Sequence, residues 1–174
     1  MQEIVDFLFE VGVLKLIPRS GWFKVGIKDP ESVAEHSFRT GIMAFLITYL
    51  ETGDFDKACR AGMLGIMHDL NEARTLDLHK LSRRYVSVDE SVLNEQLDAL
   101  PRELKERIEK EFDDLMVFVK DADRLELLFQ AKEYSEVYPS AMEYIRNLKF
   151  ETETAKKLAE IAKSSDHRWW LKLE

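Results

Sequence analysis

The chain has 174 residues, of which 45% are apolar and 33% charged, with only 7 glycines and 4 prolines. That composition excludes disorder and an all-β fold and points to a helix-rich globule. The net charge of −8 excludes a long nucleic acid as the usual partner, because polyanion binding relies on clustered cationic contacts, yet it leaves room for a small anion in a local basic pocket.

One cysteine, Cys59, rules out an intramolecular disulfide and any multi-cysteine zinc site. The length suits one domain with a substantial core. No stretch reaches the roughly 18 apolar residues of a membrane span, and Glu3 and Asp6 stand where a secretory leader would be basic. A cytoplasmic protein without a membrane partner is expected.

Ile4, Phe7, Leu8, Val11 and Leu14 recur at helical spacing and predict an amphipathic helix over residues 2–16, stopped by Pro18. Residues 19–30 mix glycine, aromatic and basic side chains without a helical period and read as a loop, a place where binding groups collect. Ser32 with Glu35 three residues on is a capping-box pattern, so a helix is predicted over 33–50 with His36 in its first turns. From Ile42 to Leu50 only Thr48 is polar, and burial on most sides is expected. Asp54 caps a second buried helix expected to run to Glu72.

Residues 75–88 lack a helical period and read as a loop over the site. The run Lys80, Arg83 and Arg84 within it reads as a solvated face, with His79 beside it. Further helices are predicted over 90–97, 101–119, 122–137, 139–147 and 152–163, with Pro101 and Pro139 suited to first helical positions. No internal repeat or linker marks a boundary. The expected class is all-α, a single globular domain.

Chemistry concentrates where polar groups interrupt apolar runs. His68-Asp69 closes the stretch Ala61-Gly62-Met63-Leu64-Gly65-Ile66-Met67, with Glu72 and Asp77 close behind. Imidazole and carboxylate can share one divalent ion, and burying them without a compensating charge is costly. His36 on the preceding helix and Asp123, among the apolar residues of a later one, are the candidate partners. If the helix continued, Glu72 would share a face with His68 and could take a proton from bound water. His167, Trp169 and Trp170 in the tail read as packing or a subunit contact.

The order His36, His68-Asp69, Asp123 resembles the HD-domain superfamily of metal-dependent phosphohydrolases. Pro30-Glu31-Ser32-Val33-Ala34-Glu35-His36-Ser37, His68-Asp69-Leu70-Asn71-Glu72-Ala73, Asp77 and Lys120-Asp121-Ala122-Asp123-Arg124 are similar to its 5′-deoxynucleotidase branch, the HD-domain-containing protein 2 group. The resemblance implies a helical HD fold and one divalent metal held by His36, His68, Asp69 and Asp123. Co²⁺, Mn²⁺ or Mg²⁺ are the expected ions, with Zn²⁺ or Ni²⁺ as alternatives. It further implies phosphate release from deoxynucleoside 5′-monophosphates, with Glu72 and Asp77 catalytic, one as base and one as acid in either order. Arg19 would bind the phosphate and Trp22 the substrate.

Two departures stand out: many relatives have glycine where Leu76 precedes Asp77, and Ser20-Gly21 separates Arg19 from Trp22. Only His79 and His167 remain beyond the two ligand histidines, so a single metal is expected. A homodimer is implied by the relatives. The alternatives are an HD enzyme for another nucleotide, whether triphosphate, cyclic nucleotide or alarmone, and an inactive nucleotide-binding HD protein.

Overall fold

The structure is a computed structural model, and it describes residues 1–89 and 91–173. It is all-α, and among the described residues the only extended pairing is the isolated bridge between Pro18 and Ser32. The first helix, α1 (Gln2–Gly12), is shorter than expected, because the chain tightens into a 3-10 turn over Val13–Leu16 before Pro18. In the segment expected to be a loop, another 3-10 turn, Ser20–Val25, ends at Gly26 with φ +95°.

Helix α2 (Val33–Thr52) begins with the full capping box: the Ser32 hydroxyl accepts from the Glu35 backbone, and the Glu35 carboxylate accepts from that of Ser32. Gly53, at φ +70°, ends it two residues later than expected. One expectation for α2 fails. Phe38, Ile42, Leu46 and Leu50, four residues apart, are 65%, 50%, 45% and 61% exposed, so the helix buries one side and leaves an apolar stripe on the other.

The following helix, α3 (Phe55–Met67), capped by Asp54, stops well short of Glu72. Residues 68–71 form a turn, and the chain resumes as the one-turn α4 (Glu72–Thr75). His68 and Glu72 therefore do not share a continuous helical face. The turn aims His68 and Asp69 from the end of α3 instead.

Glycines set how closely α2 and α3 approach. A methyl on Gly65 would stand 2.9 Å from the Gly41 Cα and 3.0 Å from the Thr40 carbonyl, and one on Gly41 would meet the Ile66 side chain. Bare backbones at this crossing bring the ends that carry His36 and His68 together.

After the 3-10 turn Ser82–Arg84 comes α5 (Ser91–Leu97); Glu90, the expected start of this helix, lies outside the described residues. The predicted helices over 101–119 and 122–137 are one helix, α6 (Arg102–Tyr134). Nothing between residues 119 and 122 breaks it, since neither Lys120 nor Asp121 is proline or glycine, and the buried Asp121 carboxylate finds its partners in the segment before the last helix. That carboxylate accepts the backbone N–H groups of Glu151 and Thr152, anchoring the start of α8 (Glu153–Ser164). Before it, α7 (Ser140–Tyr144) is shorter than the expected 139–147.

The main core lies where α2, α3 and α6 meet, around Ile47, Leu64, Leu115, Val119, Leu125 and Leu128, all almost fully buried. Each such side chain contributes roughly 1.5–3 kcal/mol by leaving water. A smaller cluster of Leu14, Ile17, Val33 and Leu70 packs beneath it. That cluster fixes both ends of the loop bearing Arg19. Backbone bonds finish the job, from Arg19 N–H to the Glu31 carbonyl at 2.9 Å and from Val33 N–H to that of Ile17 at 2.8 Å.

Candidate metal centre and active site

His36 emerges from the capped first turn of α2 and is fully buried. Its Nδ1 lies 2.5 Å from the Glu126 carboxylate, and Arg39 donates to the other Glu126 oxygen from Nε at 3.0 Å and Nη2 at 2.8 Å. The carboxylate makes Nδ1 the donor and leaves Nε2 to face the site. His68 reaches the same state differently. Its Nδ1–H donates to the Gly65 carbonyl at 2.8 Å, which only accepts, so again Nε2 is free.

The two Nε2 atoms lie 3.3 Å apart. Asp69 Oδ2 stands 3.1 Å from that of His68 and 3.7 Å from that of His36, while Asp123 Oδ1 is 3.3 Å from His36 Nε2. His36, His68 and Asp69 thus offer donor atoms all within 4.8 Å of one another, from α2 and the α3–α4 turn, and Asp123, from the middle of α6, joins this group at His36. Neutral imidazoles cannot face their lone pairs at each other beside two carboxylates without a cation between them. The donor set suits one divalent ion, with positions left over for water and substrate.

In the protein groups themselves a proton meets part of that demand. Burial and Arg19 both oppose a charge on His36, but hydrogen bonds to Asp123 and Glu126 outweigh them and push its pKa up to about 10. Burial would raise Asp69 and Asp123; interactions with neighbouring groups, His68 foremost at Asp69 and His36 at Asp123, hold both carboxyls below their usual range.

The two carboxylates of this cluster, Asp69 and Asp123, line a 310 Å³ cavity together with Arg19, Trp22 and Asp77. Arg19 Nη1 is 3.2 Å from Asp69 and 4.0 Å from Asp77, and Nη2 is 3.8 Å from Asp123. Asp77 is fixed from the opposite loop by Ser20, whose backbone N–H donates to its carboxylate at 2.5 Å and whose hydroxyl donates to its carbonyl at 2.7 Å. Leu76, just before it, takes φ +62° and ψ 165°, backbone that glycine adopts with ease and leucine does not.

Glu72 is 2% exposed and does not line the cavity. Burial, together with the carboxylates of Asp69 and Asp77, pushes its pKa up to about 9 against the pull of Arg19 and Arg83. One of its oxygens, Oε2, has no hydrogen-bond partner among the described residues. Trp22 is 1% exposed, and its indole N–H is committed to Glu31 at 3.0 Å, so it presents the cavity with a ring rather than a donor.

Sequence reasoning missed several neighbours. Glu126 was visible as the one acid in the apolar run Leu125 to Phe129, three residues from Asp123 and so on the same helical face. Its role depends on Arg39 and His36 from another helix, which no local pattern displays. Arg124, next to Asp123 in the chain, pairs with Asp121 at 3.2 Å. Lys80, Arg83 and Arg84 are exposed, as expected of a solvated face, yet Lys80 and Arg83, together with His79, also line the cavity. Tyr144, from α7, completes its wall.

Residues 11–166 match the HD domain family. This chain is an HD-domain protein. It is 31% identical to 5′-deoxynucleotidase HDDC2 from Bos taurus over 147 residues, 78% of this chain and 70% of the relative. Identity to 5′-deoxynucleotidase hdd1 of Schizosaccharomyces pombe is also 31%, over 76% of this chain and 72% of that one. Among solved structures, the HD-domain chain resembles genomics APC5600 with a TM-score of 0.87 and 45% identity, covering 98% and 99% of the two chains. Coding region AF1432 from Archaeoglobus fulgidus gives 0.73 and 39%, covering 98% and 100%.

Proposed function

We propose that this HD-domain protein is a metal-dependent phosphohydrolase that releases phosphate from nucleoside 5′-monophosphates, deoxynucleotides included. The observation that carries the reading is the cluster of His36, His68 and Asp69, joined by Asp123 at His36, beside a cavity lined by Asp69, Asp123 and Arg19. Relatives named 5′-deoxynucleotidase, similar over most of the chain, support the substrate class.

One divalent ion, Mn²⁺, Co²⁺ or Mg²⁺ in the first instance and Zn²⁺ or Ni²⁺ as alternatives, is the proposed cofactor, with those four residues as ligands. When bound it acidifies a water and neutralises phosphate charge. Arg19 offers a planar fork to the phosphate oxygens. Glu72 and Asp77 share the proton handling: one takes the proton of the attacking water, and the other supplies one to the departing 5′ oxygen. Trp22, Leu127 and Tyr144 supply the apolar wall for sugar and base.

Three further readings belong to the proposal: the 174 residues act as one domain, the exposed stripe on α2 pairs two copies, and the setting is cytoplasmic, in keeping with the exposed thiol of Cys59. Among the described residues no helix is long and apolar enough to cross a membrane.

Metal-stripped protein resupplied with each ion singly, and assayed for phosphate release from ribo- and deoxynucleoside mono- and triphosphates, tests the function. Release from monophosphates that Asp69→Ala abolishes is the expected outcome. Activity confined to triphosphates, or tight nucleotide binding without turnover, would overturn it.

A further inference from the structure

Beyond Tyr144 the active-site cavity is followed by a second one of 250 Å³, lined by Lys24, Lys80, Leu81, Arg84 and Tyr144. Lys80 and Tyr144 line both, so the two cavities are neighbours across a shared wall. A water occupies about 30 Å³ in the liquid, so the second space is large enough for a phosphate group with some of its hydration.

Its chemistry is one-sided. Lys24 sits in the 3-10 turn Ser20–Val25 and Arg84 in the turn Ser82–Arg84, so segments sixty residues apart in sequence deliver cations to one small hollow. Among the described residues Lys24, Lys80 and Arg84 form no salt bridge, although the chain carries 33 acidic side chains. Cations gathered without a counter-charge repel one another, and an anion that enters relieves the repulsion.

Tyr144 adds a donor at the shared wall. Its hydroxyl lies so close over Gly21 that a methyl there would stand 2.5 Å from it. Glycine at that position lets the phenol reach in beside the loop that carries Arg19.

We propose that Lys24, Lys80, Arg84 and the Tyr144 hydroxyl bind a second phosphate group of the substrate, so that the site prefers a nucleotide carrying a 5′-phosphate at the metal centre and a further phosphate on its 3′ oxygen. The inference rests on the phosphohydrolase reading and narrows its substrate class. The reaction is unchanged: water adds to the 5′ phosphorus and gives up a proton, the bond from phosphorus to the 5′ oxygen breaks, that oxygen takes a proton, inorganic phosphate is released, and the 3′-phosphate stays on the nucleoside. Such a group occurs as a free 3′-phosphate or as the phosphodiester of a 5′-phosphorylated dinucleotide.

The test compares a deoxynucleoside 5′-monophosphate, its 3′,5′-bisphosphate and a 5′-phosphorylated dinucleotide in steady-state kinetics, on the wild type and the Lys24→Ala/Arg84→Ala double variant. In the wild type the KM of at least one 3′-substituted substrate is expected to be about tenfold below that of the monophosphate, a modest figure suited to exposed cations. In the double variant that advantage disappears, while the monophosphate KM and every kcat stay within about twofold. Gain with the bisphosphate alone, or with the dinucleotide as well, upholds the proposal and identifies the source of the group.

No gain with either, or an equal loss for all three substrates in the variant, overturns it. Titration calorimetry of the same ligands on wild type and variant gives the answer independently of turnover. Failure of monophosphate hydrolysis would count against the function, whereas equal affinity for mono- and bisphosphate would count against the second subsite.

Discussion

Glu72 joins two demands that pull apart. It sits buried beside the carboxylates of Asp69 and Asp77, and its pKa rises from 4.5 to about 9. The native state therefore keeps a proton that the unfolded chain releases above pH 4.5, and stability falls as pH climbs from there to about 9. Glu72→Gln mimics the protonated form. In metal-stripped protein its thermal midpoint is expected to exceed that of the wild type by a margin that grows through that window and levels off above it. Phosphate release in the metal-loaded variant should fall by about 100-fold or more, the usual loss when a proton-transfer group is removed. A thermal difference that stays flat across that window would show the carboxyl to be ionised in the native state.

His36 sets the pH dependence of metal uptake by the same reasoning with the opposite charge. Its partners Asp123 and Glu126 keep it protonated up to about pH 10, so a metal entering at neutral pH displaces that proton. Affinity should rise roughly tenfold per pH unit below that value. Calorimetry in two buffers of different ionisation enthalpy should detect the released proton, and heats that do not depend on the buffer would sink the idea. Histidines and aspartates were readable in the sequence because each interrupts an apolar run. Glu126 went unread because its importance lies in a contact 90 residues away in the chain.

At the scale of elements, the site depends on how closely α2 and α3 cross. Gly65→Ala would place a methyl 2.9 Å from the Gly41 backbone and 3.1 Å from the Ala44 side chain, and backbone cannot yield as a flexible side chain can. The helices must separate, at a cost of about 1–3 kcal/mol in overpacking. His68 follows α3, and its carbonyl anchor is Gly65 itself, so metal affinity should drop along with denaturant stability. Loss of stability with affinity intact would mean that the crossing does not position the ligands. The periodicity identified both helices and the capping box at Ser32, since local residues decide those. It misplaced the end of α3 and split α6 in two, because the turn at residues 68–71 and the continuity of a 33-residue helix are settled by tertiary packing that a local pattern does not contain.

Across the whole molecule, the apolar stripe on α2 is the largest departure from what the sequence suggested. A run that is apolar nearly all round looks buried, and the period alone cannot say whether the burying surface is the same chain or another copy. Phe38, Ile42, Leu46 and Leu50 remain 45–65% exposed over about 18 Å of helix, with Phe55 and Ile66 on α3 also half exposed or more. Apolar surface of that extent is rare on a monomer. An antiparallel pairing of two α2 helices about a twofold axis would cover both stripes at once, since each copy offers the same face. Leu46 stands mid-stripe and does not line the active-site cavity, so Leu46→Asp sets a charge at the proposed contact without touching the chemistry. Light scattering should give twice the chain mass for the wild type and a single chain mass for the variant, with phosphate release per chain preserved. A variant that stays paired would move the contact elsewhere, the aromatic tail at Trp169 and Trp170 being the next exposed apolar surface.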